Sequence, residues 1–468
     1  MTSHPIVPAP RLPSLPPRPG PSAAPAAAPA APTASALQAA AGRAVRSAVA
    51  SVAKADKADL LMWVLAIVVS MYVWRFQGLF RIFAVTKVTL LSMCAALLIF
   101  ANDRHPMRSL KGIDSPMARA ALGILALILI STPFSVYRRA SFEFLTTDFL
   151  LNLTMMVLVA ASIRGPRDVD WHIRAFMFGC AVYTLMSMRG SRSDRLSGRG
   201  YYDANDLGAL LVCAIPLTVY LLRVTPNKLW RLVGTLLLAV FLYAIIKTSS
   251  RGAFLGLISV ALFVLVAYRT IPVRVRVGVS LAGVLLFAAA GSQEFWERMG
   301  TILRPEEDYN FSGKSVSGRG EVWKRGIGYM LSNPVGVGPF AFPWAEGRSD
   351  IALERQEQGM GFKWSAAHNS FIQIGAELGV LGLALMLFAI KSGVTGLNRM
   401  AKRARSLGEI AGSAQAVQGA LIGFCVAGSF VSFAYSSLIY WIFGVAIGIL
   451  KLEPKVTPVP AEASGRRR

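Results

Sequence analysis

Cysteine, histidine and acidic residues are scarce in this chain of 468 residues, which has 4 Cys, 4 His and 25 Asp and Glu against 49 Lys and Arg. The sequence shows no metal-ligand cluster, no P-loop and no internal repeat of fixed period. We therefore predict no metal and no cofactor, and the pattern argues against transport driven by nucleotide hydrolysis. The cysteines lack CxxC spacing and fall in apolar segments, as is typical of packing residues: Cys94, Cys180, Cys213 and Cys425.

A cleavable signal peptide is also not apparent. The first apolar run starts near Leu60 and follows a Pro/Ala-rich tail, instead of a short basic region with a small-residue cleavage site. Residues 1–58 are therefore predicted to be a disordered cytoplasmic tail. Its Ala-rich part, residues 34–58, suits a helix on the anionic inner leaflet and a flexible tether equally well.

Long apolar runs dominate the rest of the sequence. Hydrophobic residues make up 54% of the chain and fall in runs of about 20 residues, the length of a bilayer-spanning helix. We predict an all-α polytopic membrane protein with about twelve transmembrane helices. The predicted spans are residues 60–76, 79–101, 117–134, 142–162, 169–188, 206–222, 229–247, 252–268, 272–291, 369–390, 415–433 and 437–453.

These spans divide the chain after its tail. Residues 59–291 hold the first nine predicted helices, residues 292–367 form one long periplasmic loop, residues 368–453 hold the last three helices, and residues 454–468 form a basic cytoplasmic tail. Basic residues collect in the short loops that lie on the same side of the membrane as the N-terminus. The positive-inside rule therefore predicts a bacterial inner-membrane protein with both termini in the cytoplasm.

The formal net charge of +24 is only partly explained by orientation. The outer short loops still carry arginines, among them Arg195, Arg199 and Arg251. Anchoring to lipid headgroups accounts for some of them, and an anionic ligand such as a lipid diphosphate or a lipopolysaccharide core accounts for the others. Membrane lipids are expected partners, whereas nucleic acid is not expected on that side of a membrane.

The most informative stretch is HNSFIQIGAELGVLG, which places His368 at the outer end of a predicted helix. Gly375 and Gly379 on this helix form a small-xxx-small face that lets another helix approach and hold His368 in position. Glu377 lies about 13 Å deeper, where a carboxylate needs a polar partner. His368 alone also fits an interfacial residue that caps the helix or meets headgroups, but its place at the end of the long loop favours function.

Two further outer segments place an arginine among small residues. In TSSRGAFLG, Arg251 begins a helix whose Gly252 and Gly256 again allow close packing, although an arginine that snorkels to the headgroups fits as well. In SGRGEVWKRGIGYMLSNPVGVG, Arg319 enters a short amphipathic helix from a Gly-rich turn whose N–H groups suit phosphate oxygens. That helix is predicted to lie flat on the membrane and to end at Asn333.

The segment DRLSGRGYYDANDLGALL supplies further polar and basic residues at the outer mouth of a span. Sugar hydroxyls or phosphate are the ligands that such residues suit. A solvated loop with a helix start at Asn205 or Asp206 explains them equally well, and both interpretations stay open. The candidate glycan- or phosphate-binding residues, including one from the histidine segment, are Arg195, Arg199, Tyr202, Asn205 and Asn369.

Four blocks together resemble the O-antigen ligase and Wzy-type polymerase superfamily: GRGYYDANDLG, SSRGAFLG, SGRGEVWKRGIGYMLSNPVGVGPF and HNSFIQIGAELGVLG. The resemblance runs from about Gly198 to the last helices. It implies a GT-C-type glycosyltransferase that moves a glycan from undecaprenyl diphosphate to a periplasmic hydroxyl. By analogy, Arg251 and Arg319 bind the diphosphate and His368 is the catalytic residue.

The chemistry of these residues suits that reaction. Arginines can neutralise the charge on a diphosphate leaving group without a metal, and a histidine can take the proton from the attacking hydroxyl. Attack from the face opposite the diphosphate predicts inversion of the anomeric carbon. The ligase form of the last motif is met by His368, Asn369, Gly379 and Gly382, but the Thr or Val that ligases commonly carry after it is not evident in GLALML.

Ligation of O-antigen to lipid A-core is the function we favour, while polymerisation of O-antigen or exopolysaccharide and transfer of glycan to protein share the same architecture. A transporter of lipid-linked glycan is the non-enzyme alternative, since Lys87, Asp148 and Glu377 are predicted intramembrane charges. The DxD pair Asp168 and Asp170 has the form found in metal-dependent glycosyltransferases, but we favour a helix N-terminus there.

Overall fold

The computed structural model describes residues 59–74, 87–190, 195–198, 202–404 and 407–453. All regular secondary structure in these ranges is helical. The helices are α1 (Leu60–Trp74), α2 (Val88–Asn102), α3 (Pro116–Ser131), α4 (Arg138–Phe144), α5 (Leu150–Ser162), α6 (Pro166–Gly190), α7 (Ala204–Val224), α8 (Lys228–Thr248), α9 (Arg251–Val266), α10 (Val273–Ala290), α11 (Gln293–Gly300), α12 (Arg319–Ser332), α13 (Phe342–Gly347), α14 (Asp350–Glu357), α15 (Ser370–Arg403), α16 (Gly408–Gly428) and α17 (Ser437–Leu450). The predicted tails, residues 1–58 and 454–468, lie outside the described ranges.

Seven helical stretches are long and apolar enough to cross a bilayer, and α1, α2, α9 and α17 are shorter apolar helices. The protein is therefore a multi-pass, all-helical membrane protein, as the hydropathy pattern predicts. The seven are Pro116–Phe134, Arg138–Ser162, Ala204–Val224, Lys228–Thr248, Val273–Ala290, Ser370–Arg403 and Gly408–Gly428.

Three predicted spans differ in detail from the structure. The span predicted at 142–162 begins at Arg138 and joins α4 to α5 through a π-helical turn, Leu145–Phe149. The span predicted at 369–390 continues to Arg403 because apolar and small residues persist. The span predicted at 415–433 is displaced to Gly408–Gly428, since the apolar residues that follow it are not helical.

Glycines bring α9 close to its neighbours, as the small-residue spacing predicts. A Cβ on Gly252 would lie 2.5 Å from the Cβ of Phe430, and one on Gly256 would lie 3.0 Å from the Cβ of Ala427. Because no side chain intervenes, α9 packs directly on the end of α16 and on the non-helical segment after it. This packing fixes the start of α9, and with it Arg251.

The DxD pair lies at the end of the bundle opposite Arg251. Asp168 accepts hydrogen bonds from the side chain and the backbone N–H of Arg164 at 2.8 Å, in the first turn of α6. Asp170 accepts one from the hydroxyl of Tyr220 at 2.5 Å. The preferred interpretation of this pair as a helix N-terminus is therefore confirmed, since α6 begins at Pro166 with Asp168 in its first turn.

Candidate functional site

Arg251 is the first residue of α9, at a sharp junction between two helices. Ser249 ends α8 in the left-handed conformation (φ 48°), and the side chain of Ser250 accepts a hydrogen bond from the Ala253 N–H at 3.3 Å as the N-cap of α9. The polar Thr-Ser-Ser run thus encodes a helix stop and a helix start in succession. It directs the Arg251 side chain to the end of the bundle.

Two residues of the long loop hold the Arg251 guanidinium. It donates a hydrogen bond to the Thr301 hydroxyl at 2.8 Å and forms an ion pair with Asp308, whose side chain is only 8% exposed. Burial favours the neutral form of Asp308, but hydrogen bonds from Arg251 and Asn310 outweigh it, so the pKa of this carboxyl is lowered. Asp308 therefore pairs with Arg251 as a carboxylate.

The turn that contains Asp308 also supports Arg319, the first residue of α12. The Gly320 N–H donates a hydrogen bond to the Asn310 carbonyl at 2.8 Å. A Cβ on Gly318 would lie 3.0 to 3.1 Å from three carbonyl oxygens of this loop, so the close approach requires glycine. The Gly-rich entry to α12 therefore packs against its own loop.

Arg319 reaches back to the segment that follows α16. Its guanidinium donates a hydrogen bond to the Phe430 carbonyl at 3.1 Å, while Gly252 packs on the side chain of the same residue. Burial and the positive charge of Arg251 lower the pKa of Arg319, and Asp203 opposes them. Arg251 and Arg319, far apart in sequence, thus flank one non-helical segment.

His368 lies immediately before α15 in the left-handed conformation (φ 47°). Its N–H donates a hydrogen bond to the Ser432 hydroxyl at 2.8 Å, and the preceding carbonyl of Ala367 accepts one from the Trp323 indole at 2.9 Å. These contacts stabilise a backbone conformation that is unfavourable for a residue with a Cβ. Its strain at a candidate site is consistent with function.

Burial and the neighbouring positive charges keep the His368 imidazole neutral. Burial, followed by the positive charges of Arg319 and Lys363, lowers the pKa of His368 to about 4, and Asp203 opposes them. Contacts with the segment after α16 place the three residues at one end of the bundle: Gly252, next to Arg251, packs on Phe430, Arg319 donates to the Phe430 carbonyl, and the His368 N–H donates to Ser432. A neutral imidazole can accept a proton.

The glycines of α15 accommodate α12 and the turn after it. A Cβ on Gly375 would lie 2.5 Å from the sulfur of Met330, and one on Gly379 would lie 2.2 Å from the Pro334 carbonyl. The predicted close approach of another helix is confirmed at Gly375, where the partner is α12, while at Gly379 the partner is the turn after α12. Gly379 also breaks α15 with φ 73°, and Gly382 leaves room for Leu378 one turn away.

Glu377 has the polar partners that its depth requires. Its carboxylate is buried and accepts hydrogen bonds from the N–H groups of Phe340 and Phe342 at 2.9 and 3.2 Å. The carbonyl of Glu377 accepts a further one from the Gly338 N–H at 3.1 Å. Glu377 therefore anchors the loop after α12 to α15.

The remaining sequence candidates have mixed positions. Arg195 donates to the Thr248 carbonyl at 2.9 Å and to the Asn205 side chain at 3.4 Å, and burial followed by the charge of Arg298 lowers its pKa to about 10. Tyr202 is largely buried and packs edge-on against Tyr183 and Phe433.

Asn369 and Asn205 lie at the starts of helices, and Arg199 cannot be placed. Asn369 is the N-cap of α15 and accepts from the N–H groups at the start of that helix at 2.9 and 3.1 Å. The N-cap of α7 is Asp203. A helix therefore starts in this segment, as one of the two interpretations predicts, but it starts slightly before Asn205 or Asp206. Arg199 lies outside the described residues.

The long loop and the segment after α16 supply contacts that sequence reasoning missed. These residues lie outside the four blocks, and only the Asp-Tyr-Asn turn gave a local signal, as a turn former. They are Arg298, Thr301, Asp308, Phe430 and Ser432.

An apolar cavity of about 290 Å³, open on one side, lies between α7, α8, α9 and α10. Phe254, Phe287 and Trp296 line it, together with aliphatic side chains. Phe254 is one turn from Arg251 along α9, and Trp296 precedes Arg298 on α11. The cavity therefore runs from the neighbourhood of the arginines into the apolar part of the bundle.

The O-antigen ligase family model matches residues 236–387. This match supports the resemblance of the chain to the O-antigen ligase and Wzy superfamily over that segment. No curated protein matches the chain. The O-antigen ligase segment contains Arg251, Arg319 and His368, so the resemblance is confirmed where these residues lie. Arg195 and Phe430, which contact the site from non-helical segments, lie outside it.

Proposed function

We propose that this O-antigen ligase-type protein transfers a glycan from undecaprenyl diphosphate to a hydroxyl acceptor, with lipid A-core as the favoured acceptor. The observation that carries the proposal is that Arg251, Arg319 and His368 meet around one segment, where Gly252 packs on Phe430, Arg319 donates to its carbonyl and the His368 N–H donates to Ser432. Such a cationic pocket suits a diphosphate, and the apolar cavity beside it suits a polyprenyl chain.

In the proposed reaction, the acceptor hydroxyl attacks the anomeric carbon while the bond to the diphosphate oxygen breaks. The electron pair leaves with the diphosphate, and Arg251 and Arg319 stabilise its charge. Each charge-assisted hydrogen bond contributes about 1.5 to 3 kcal/mol. Attack opposite the leaving group inverts the anomeric centre, and no metal is needed for this charge stabilisation.

His368 takes the hydroxyl proton in this mechanism. Its low pKa keeps it unprotonated in the empty site, but also makes it a weak base. A diphosphate bound to Arg319 offsets the positive field that opposes protonation. Substrate binding therefore raises the basicity of His368 when the reaction requires it.

The topology that fits this reaction has twelve crossings. Besides the seven long stretches and four short apolar helices, α6 lies where a span is predicted, although its first turns carry charged residues. With both termini in the cytoplasm of a bacterial inner membrane, the end that carries Arg251 faces the periplasm. This arrangement is the one expected of a GT-C-type glycosyltransferase.

The acceptor separates the related functions. Protein in nanodiscs is incubated with an undecaprenyl diphosphate-linked glycan and, separately, with lipid A-core, a second lipid-linked glycan or an acceptor peptide. Product with lipid A-core supports ligation, whereas product only with the second glycan or the peptide replaces it by polymerisation or protein glycosylation. Movement of the lipid-linked glycan across vesicles without product in any mixture supports the transporter and overturns the enzyme proposal.

A further inference from the structure

Arg298, in the long loop, is a third arginine near the site and lies beside Arg251. The Thr301 hydroxyl accepts a hydrogen bond from Arg251 and donates one to the Arg298 carbonyl, both at 2.8 Å. Thr301 thus links the last turn of α11 directly to the Arg251 guanidinium. Trp296, on the same short helix, lines the apolar cavity.

The guanidinium of Arg298 is poorly compensated. Its Nε is buried and meets no hydrogen-bond acceptor among the residues that the structure describes. Burial and the charge of Arg251 lower the pKa of Arg298, and Asp308 and Glu294 oppose this. Asp308 is already paired with Arg251. A buried donor without an acceptor is destabilising unless a ligand supplies one.

We propose that Arg298 binds the diphosphate of the lipid carrier together with Arg251 and Arg319. The inference rests on the proposed function and adds a substrate-contacting residue that lies outside the four blocks of resemblance. In this arrangement α11 presents Trp296 to the polyprenyl chain and Arg298 to the diphosphate. It therefore sets the position of the junction between the two parts of the carrier.

The test measures binding of undecaprenyl diphosphate to the full chain in nanodiscs, with undecaprenol as the uncharged comparison. Arg298→Ala is expected to weaken diphosphate binding by about tenfold or more, with undecaprenol binding unchanged. Arg298→Lys keeps the charge without the planar fork and is expected to lose less. Arg304→Ala is the matched control, because Arg304 is exposed in the same loop and pairs with Glu307.

Wild-type affinity for the diphosphate in Arg298→Ala overturns the inference. Equal losses for undecaprenyl diphosphate and undecaprenol also overturn it, because they indicate a structural role. If the alanine variant does not fold, the lysine variant decides, and wild-type affinity in it overturns the inference. Failure of the wild-type protein itself to bind undecaprenyl diphosphate contradicts the proposed function instead, so the two failures are distinguishable.

Discussion

Asp308 forms an ion pair with Arg251, and the same carboxylate accepts hydrogen bonds from the backbone and side chain of Asn310 at 3.1 and 3.2 Å. Since the Asn310 carbonyl accepts from Gly320 at the start of α12, a single turn positions both Arg251 and Arg319. The spacing of the two guanidinium groups therefore depends on a residue that neither motif contains.

Asp308→Asn is expected to lower kcat by about tenfold or more, because a charged hydrogen bond of about 1.5 to 3 kcal/mol that orients Arg251 is lost. The KM for the lipid-linked donor should stay equal or fall, since the pocket becomes more positive. Steady-state kinetics separate the two constants. Glu306→Gln, an exposed neighbour in the same turn, is the control. A raised KM with unchanged kcat would contradict this positioning role.

His368→Ala is expected to leave folding intact and to reduce transfer to about a percent or less, the usual effect of losing a general base. Transfer is measured with purified protein, and folding by thermal unfolding. His105→Ala is the matched control, because His105 is exposed at the opposite end of the bundle. Wild-type transfer by His368→Ala would remove the assignment.

The low pKa of His368 predicts an unusual pH profile. Since its folded-state pKa of about 4 lies below the ordinary value of 6.5, kcat/KM should persist as the pH falls through 6.5 and decline only near pH 4. As the pH falls, the unfolded chain binds this proton before the folded chain does. The His368 contribution to the free energy of unfolding therefore decreases as the pH falls from 6.5 to about 4. Lys363→Gln removes an opposing charge and should move the acidic limb upward. An acidic limb centred at 6.5 in the wild type contradicts the prediction.

Glu377→Leu is expected to destabilise the protein by about 1 to 3 kcal/mol or more, because the buried N–H of Phe342 and the partly buried N–H of Phe340 lose their acceptor. Glu377→Gln retains one acceptor oxygen and should lose less. Thermal unfolding in detergent measures both. The exposed Glu294 is a suitable control as Glu294→Gln. Equal stability of Glu377→Leu and wild type would show that the loop is held by other contacts.

Gly379→Ala should also destabilise the protein, by about 1 to 3 kcal/mol, because φ 73° is strained for alanine and its Cβ would overlap the Pro334 carbonyl. Gly328→Ala provides the contrast, since nothing lies within 4 Å of a Cβ at that position in α12. There the higher helix propensity of alanine predicts unchanged or increased stability. Similar losses for both variants would contradict the argument.

The sequence by itself determined the membrane class, most of the helices and the residues that carry the resemblance. Apolar runs report spans because a bilayer selects on side-chain hydrophobicity alone, and that property is read one residue at a time. The small-residue spacings at Gly252 and Gly375 likewise predict close packing, because the absence of a Cβ is known from the residue type alone. None of this required knowledge of a partner.

Only the tertiary structure decided the partners. Apolar Phe430 and Phe433 suggest that the span continues, but the helix ends before them. The Phe430 carbonyl is then available to accept a hydrogen bond from Arg319. Asp308 and Arg298 belong to a loop without a sequence motif. Their charges act on Arg251 only because folding brings the loop to that residue. Contacts between distant residues depend on geometry that no local pattern encodes, which is why the sequence predicted the principal site residues and not what holds them in place.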